Sequence, residues 1–207
     1  EKDTLGLFVT GHPFDEYEQE IRKIAKTSIR NLQSDKKTQK IAGIIVGLRV
    51  MKTKRGGNMA ILTLDDRSGR IDARLFTEGY EQFRDKLILD HLVVIDAEVK
   101  HDNYNDSLGA NVNHVWNVTE ARSSFCSGVR LTLKESDFNK RTVQTLQEKL
   151  APFQADGTPV QLNYIRQDAQ AQLMLGDAFK VEPSDDLFYR LQHQFGDDAV
   201  EFVYDSL

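Results

Sequence analysis

Four cations within seven residues, Arg49, Lys52, Lys54 and Arg55, run directly into Gly56, Gly57 and Asn58. Ammonium and guanidinium groups on a short glycine-containing segment can follow a phosphodiester backbone without requiring one base sequence. This stretch is the candidate anion-binding loop, and Asn58 stands at its end. The plain alternative is a solvated hairpin tip. A second polar stretch, residues 101–107, carries His101 and Tyr104 among Asn103 and Asn105, a mixture of rings and amides that suits bases as well as phosphates. Arg74 adds one more cation on an alternating segment. Phe76, two residues on, reads equally as a floor residue or as core, and Arg49 could pair with Asp72.

Other chemistry is poorly supported. His12, His91, His101, His114 and His193 occur singly, without the Cys or His spacing of a zinc site, so no metal or other cofactor is expected. Asp65 and Asp66 are adjacent, but they sit in Asp-Asp-Arg-Ser-Gly and read as turn formers rather than as metal-binding carboxylates. There is no Gly-x-Ser-x-Gly, no Gly-Lys-Ser/Thr phosphate loop and no glycine-rich dinucleotide fingerprint. No catalytic residue is expected in this segment.

The elements that must position these residues follow from periodicity. Residues 1–37 read as a helical linker, with Tyr17, Ile21 and Ile24 at near-helical spacing. Residues 38–119 alternate. Ala42, Ile44, Val46, Leu48 and Val50 are expected on one face of a first strand, with Gly43, Gly47, Arg49 and Met51 on the other. A second strand covers residues 59–64, and a hairpin turn over residues 65–69 leads to a third with Ile71, Ala73 and Leu75 inward. A helix over residues 78–87 precedes two more strands, 92–100 and 108–116. Five strands with a helix between the third and fourth is the order of the OB-fold, a small barrel whose central strands and loops bind oligonucleotides.

Residues 120–207 read as a second module. Strands are expected over 129–133, 160–166, 171–175 and 200–204, with a further one possible over 179–181. Amphipathic helices are expected over 138–150, with Phe138, Val143, Leu146 and Leu150 inward, and over 185–195, capped by Ser184. The fold class is therefore mainly β with α+β character: a five-stranded barrel followed by a small α+β sandwich with two helices on one side of a sheet.

Charge separates the modules. The chain carries 27 basic and 32 acidic residues, net −5. Residues 1–37 hold 7 of each and residues 38–119 hold 11 of each, whereas residues 120–207 hold 9 basic and 14 acidic, which is the whole excess of five. No apolar run approaches the roughly 18 residues of a membrane span, and the lone Cys126 can form no internal disulfide. A cytoplasmic protein is expected.

The segment Leu5-Gly6-Leu7-Phe8-Val9-Thr10-Gly11-His12-Pro13, together with Thr53-Lys54-Arg55-Gly56, Leu64-Asp65-Asp66-Arg67-Ser68-Gly69-Arg70 and Leu75-Phe76-Thr77, resembles the alpha subunit of bacterial DNA polymerase III. The resemblance runs the length of the chain in order. It implies the non-catalytic C-terminal part of a DNA-directed DNA polymerase: an OB-fold for single-stranded template DNA, then a domain that docks the tau subunit of the clamp loader. The sliding clamp would be contacted upstream of this segment. Two departures limit what carries over. Gln154-Ala155-Asp156 starts like the family's clamp-binding motif but continues Gly157-Thr158, without the hydrophobic plug. Ala199 stands where a C-terminal segment of the family has Gln. The alternatives are an RNA-binding OB module of an aminoacyl-tRNA synthetase and a scaffold that binds only protein.

Overall fold

A computed structural model describes residues 13–54, 56–102 and 107–204. By contacts the chain divides into two compact units, Glu1–Val118 and Thr119–Leu207. In the first, β1 (Thr38–Lys52), β2 (Asn58–Asp65), β3 (Arg70–Leu75), β4 (Leu92–Asp102) and β5 (Ser107–Asn117) close into a barrel in the order β1, β2, β3, β5, β4. Every neighbouring pair is antiparallel except β3 and β5. The helix α2 (Thr77–Phe83) and a following 3-10 turn join β3 to β4. Ile41, Ile45, Leu62, Leu64, Leu75, Ile95, Val99 and Val115 fill the interior beside Phe83 and Leu87. Each such side chain contributes about 1.5–3 kcal/mol by leaving water.

β1 departs from the single alternation expected of it. Its pairing with β2 shifts register between Ile45 and Gly47, so one extra residue, Val46, bulges outward and is exposed. Before the bulge the odd residues Ile41 and Ile45 face the core; after it, the even residue Leu48 packs there instead. A bulge inserts one unpaired residue and so reverses the phase of everything beyond it. Ala42 and Ile44 therefore lie outside the barrel, not in line with Leu48.

The N-terminal segment is tied to the barrel. Helix α1 (Pro13–Ile24) packs against β1, and Ile29 and Leu32 join the barrel's core cluster. Asp66, in the turn between β2 and β3, is 1% exposed. Its Oδ1 accepts from the N–H groups of Ser68 and Gly69 and from Ser68 Oγ at 2.6 Å. Its Oδ2 accepts from Arg22 Nη2 at 2.8 Å and from the Ile29 N–H at 2.9 Å. Burial alone would raise the carboxyl's pKa, but the Ser68, Ile29 and Arg22 donors outweigh it and hold the group below its ordinary value.

The second unit is a four-stranded sheet in the order β10 (Val200–Val203), β6 (Gly128–Lys134), β8 (Val160–Ile165), β9 (Gln170–Met174), with β6 and β8 parallel. Before it lies α3 (Val118–Phe125). Helices α4 (Thr142–Leu150) and α5 (Asp185–Phe195) bring Leu146, Leu150, Leu187 and Leu191 into one cluster with Val129, Leu131, Leu162 and Phe202. Ser184 caps α5 by accepting from the Leu187 N–H. Two expectations need correction. α4 begins only at Thr142, whose hydroxyl accepts from the Asn139 N–H, so Phe138 precedes the helix, and both it and Val143 are exposed. Residues 179–181 form no strand; Val181 makes only single bridges to Gln154 and Thr158, at the ends of the short β7 (Gln154–Thr158). Among the described residues no helix is long and apolar enough to cross a membrane, and no three His, Cys, Asp or Glu side chains are grouped to hold a metal.

Candidate nucleic-acid interface

Residues directly opposite each other in a ladder project from the same face of the sheet. Arg49 of β1 is opposite Ile61 of β2, Ile61 is opposite Arg74 of β3, and Arg74 is opposite Asn111 of β5. The next row inward, Leu48, Leu62, Ala73 and Ala110, belongs to the core. Arg49 and Arg74 therefore stand outside the barrel, two strands apart, with Ile61 between them. The spacing follows from strand geometry: neighbouring strands lie about 4.8 Å apart.

One row closer to the β1–β2 loop, Met51 is opposite Met59. The last printed pair of β2 with β3 is Ala60 with Leu75, which points inward, so Phe76 leaves β3 on the same outer side as Met59. Phe76 is 56% exposed and Met51 43%, which places Phe76 outside the core. Its backbone is nevertheless held: it is extended, sits at the N-terminus of α2, and its carbonyl accepts from the Tyr80 N–H at 2.8 Å.

The β1–β2 loop is a short, pinned hairpin. Thr53 N–H donates to Gly57 O at 2.7 Å, the Gly56 N–H donates to Thr53 O, and the Gly57 N–H donates to Thr53 Oγ1. Lys52 pairs with Asn58 at its base, and Lys52 and Lys54 are exposed. At Gly57 a Cβ would come within 2.4 Å of Thr77 Cγ2, so the hairpin lies against the residue that follows Phe76. Only a residue without a side chain permits that approach. Arg55 and Tyr104 lie outside the described residues. His101 is exposed at the end of β4, opposite Leu108 and beside the β4–β5 loop.

The acids on this outer surface are already engaged. Asp72 accepts from Thr63 Oγ1 at 2.8 Å, so it does not hold Arg49 as expected. Asp65 pairs with Arg70 at 2.7 Å and Glu98 with Lys100 at 2.7 Å. Arg49, Lys52 and Lys54 carry no ion pair with any described residue. The structure thus gathers Arg49, Arg74, Lys52, Lys54 and Asn58 onto one side of the barrel. Met51, Met59 and Ile61 were not singled out from sequence, although their positions alternate with core residues and so signalled apolar side chains left outside.

A closed five-stranded barrel with a helix between β3 and β4 and this open, cation-bearing face defines the class: residues 39–117 match the family model for the OB-fold nucleic acid binding domain. The second unit is more particular, since residues 145–196 match the DNA polymerase III subunit alpha, C-terminal domain. Along 99% of its length the chain is 42% identical to DNA polymerase III subunit alpha of Pseudomonas aeruginosa and 34% identical to that of Escherichia coli, covering 17% and 18% of those proteins. The chain belongs to the DNA polymerase III subunit alpha family and spans about a sixth of the length of these relatives. Among solved structures, the second OB-fold domain of replication protein A from Methanococcus maripaludis is similar at 19% identity and a TM-score of 0.35, covering 44% of this chain and 93% of that one.

Proposed function

We propose that this chain is a non-catalytic part of a replicative DNA polymerase, in which the barrel guides single-stranded template DNA and the second unit docks the tau subunit of the clamp loader. The observation that carries the first half is the alignment of Arg49 and Arg74 on the open face, beside the hairpin that bears Lys52, Lys54 and Arg55. Cations spaced along one face follow a phosphate backbone, and the engaged acids leave that face a net attraction for anions. His101 and Tyr104 flank the strand from the β4–β5 loop. Support for the second half is the match of residues 145–196 to the family's C-terminal domain. The protein works in the cytoplasm, where replication takes place.

Anisotropy of a labelled single-stranded oligonucleotide, at low and at moderate salt, tests the first half. Binding should weaken steeply with salt, and Lys54→Glu with Arg55→Glu should abolish most of it and flatten the salt slope by about two. Affinity unmoved by the double reversal, with unchanged circular dichroism, would refute the assignment, and stronger competition by RNA than by DNA of equal length would favour an RNA-binding module. Calorimetric titration of the chain with tau tests the second half, and absence of heat or binding counts against it.

A further inference from the structure

The open face holds two chemically different rows. One is cationic, Arg49 and Arg74 about Ile61. The other is apolar: Met51 opposite Met59, with Phe76 leaving β3 on the same side. Rows two residues apart along a strand lie about 6.6 Å from each other. The apolar row is not explained by folding, because Met51 and Phe76 touch water across about half of their surface and the core is complete without them. Exposed apolar groups gathered on one face mark a surface that meets a partner.

We infer that Met51, Met59 and Phe76 form the platform on which unstacked bases of the bound strand rest, while Arg49, Arg74 and the Lys52 and Lys54 hairpin hold its phosphates. The inference deepens the strand-guiding role proposed above and rests on it. Three observations point to a base rather than to an apolar protein segment. The row is bordered by the Arg49 and Arg74 row on one side and by the cationic hairpin on the other, and such a frame suits a ligand that is flat and apolar in one part and anionic in the next. The ring is preorganised: Phe76 is fixed at the junction of β3 and α2, and the hairpin is held against Thr77 at the Gly57 approach. Little conformational freedom is therefore lost when a base lands on it. The flanking methionines are unbranched and polarisable, so they fit purine and pyrimidine faces alike. Discrimination is thus between single strand and duplex, not between sequences, since every base has a face to stack and a duplex hides it.

The test measures anisotropy with three probes of equal length and charge: an oligo-thymidylate, an abasic strand and a duplex. Phe76→Ala should weaken oligo-thymidylate binding about tenfold, the scale of one lost base–aromatic contact, and leave the salt slope unchanged. It should have no effect on the abasic strand, which should already bind wild type more weakly. Phe76→Tyr, which keeps the ring, should restore the affinity, and an unchanged unfolding midpoint shows that the fold survives the alanine. If the abasic strand binds wild type as tightly as oligo-thymidylate, or Phe76→Ala is silent on oligo-thymidylate, the platform is refuted and a phosphate-only guide remains. If no probe binds wild type, the strand-guiding role fails first and the platform with it.

Discussion

β1 passes along two very different parts of the barrel's outside. Before its bulge, the outward residues Ala42 and Ile44 are 1% and 3% exposed, and α1 packs against the strand. Beyond it, Arg49 and Met51 also point outward, and both are exposed. One strand thus has a covered outer end and an open outer end. On the covered end apolar side chains are required, because a second layer of packing depends on them. On the open end nothing in the fold requires Met51, Met59 or Phe76, so their apolar character belongs to what the barrel meets and not to what holds it together.

The contrast can be broken at a single charge. Ile44→Asp places a carboxylate in the covered layer with no cation built to receive it, and should destabilise the barrel by about 4 kcal/mol or more. Met51→Asp, on the outward side of the same strand, should change stability by less than about 0.5 kcal/mol. The chain has one tryptophan, Trp116 on β5, so its fluorescence during urea unfolding reports on the barrel. Equal midpoints for the two variants would mean that the covered end is not a packed layer.

The next largest effect lies where α1 is fastened. Asp66→Asn removes the charge that Arg22 pairs with and presents an amide to donors that need acceptors, at a cost of about 3 kcal/mol. The pH dependence has a definite sign. The folded carboxyl titrates below its unfolded value, so its stabilisation is fully present above the ordinary carboxylate pKa of about 4 and is lost as pH falls through the folded value. The urea midpoint of wild type should therefore fall on acidification through that window, and that of Asp66→Asn should fall less. Parallel acid profiles would show that the Asp66 network does not hold the covered end.

How much of this was legible beforehand depends on how local each cause is. The barrel order, the inward set of β3, the Asp66 to Gly69 turn and the Ser184 cap all follow from residues within a few positions of one another. The bulge did not. Residues 41–48 are apolar or glycine throughout, so either phase of alternation fits, and only the pairing with β2 decides between them. Asp66 was readable as a turn former, but its bonds to Arg22 and Ile29 span 44 and 37 residues and leave no periodic trace. β7 was missed because Gln154, Ala155, Asp156 and Gly157 are all exposed. In the candidate interface, the cations were visible as a cluster. The rows were not, since a row is a property of register between strands.

The smallest expected effect sharpens the boundary between the two ends of β1. Gly47 is the first residue paired with β2 after the phase reverses. A Cβ there would lie 3.2 Å from both Cβ and Oγ1 of Thr63, tighter than ordinary packing but against a side chain that can turn. Gly47→Ala should therefore displace the Thr63 hydroxyl from Asp72, which it now reaches at 2.8 Å. The net loss should be about 0.5–1 kcal/mol, the worth of one neutral-to-charged hydrogen bond partly replaced by water. Thr63→Val in the same background separates the terms. If the hydrogen bond carries the loss, valine alone should cost as much and the double variant little more than either single one. Additive costs would instead locate the loss in the close approach of β1 to β2 at the bulge, and would make that backbone contact, not the polar pair above it, the feature that sets where the covered end stops.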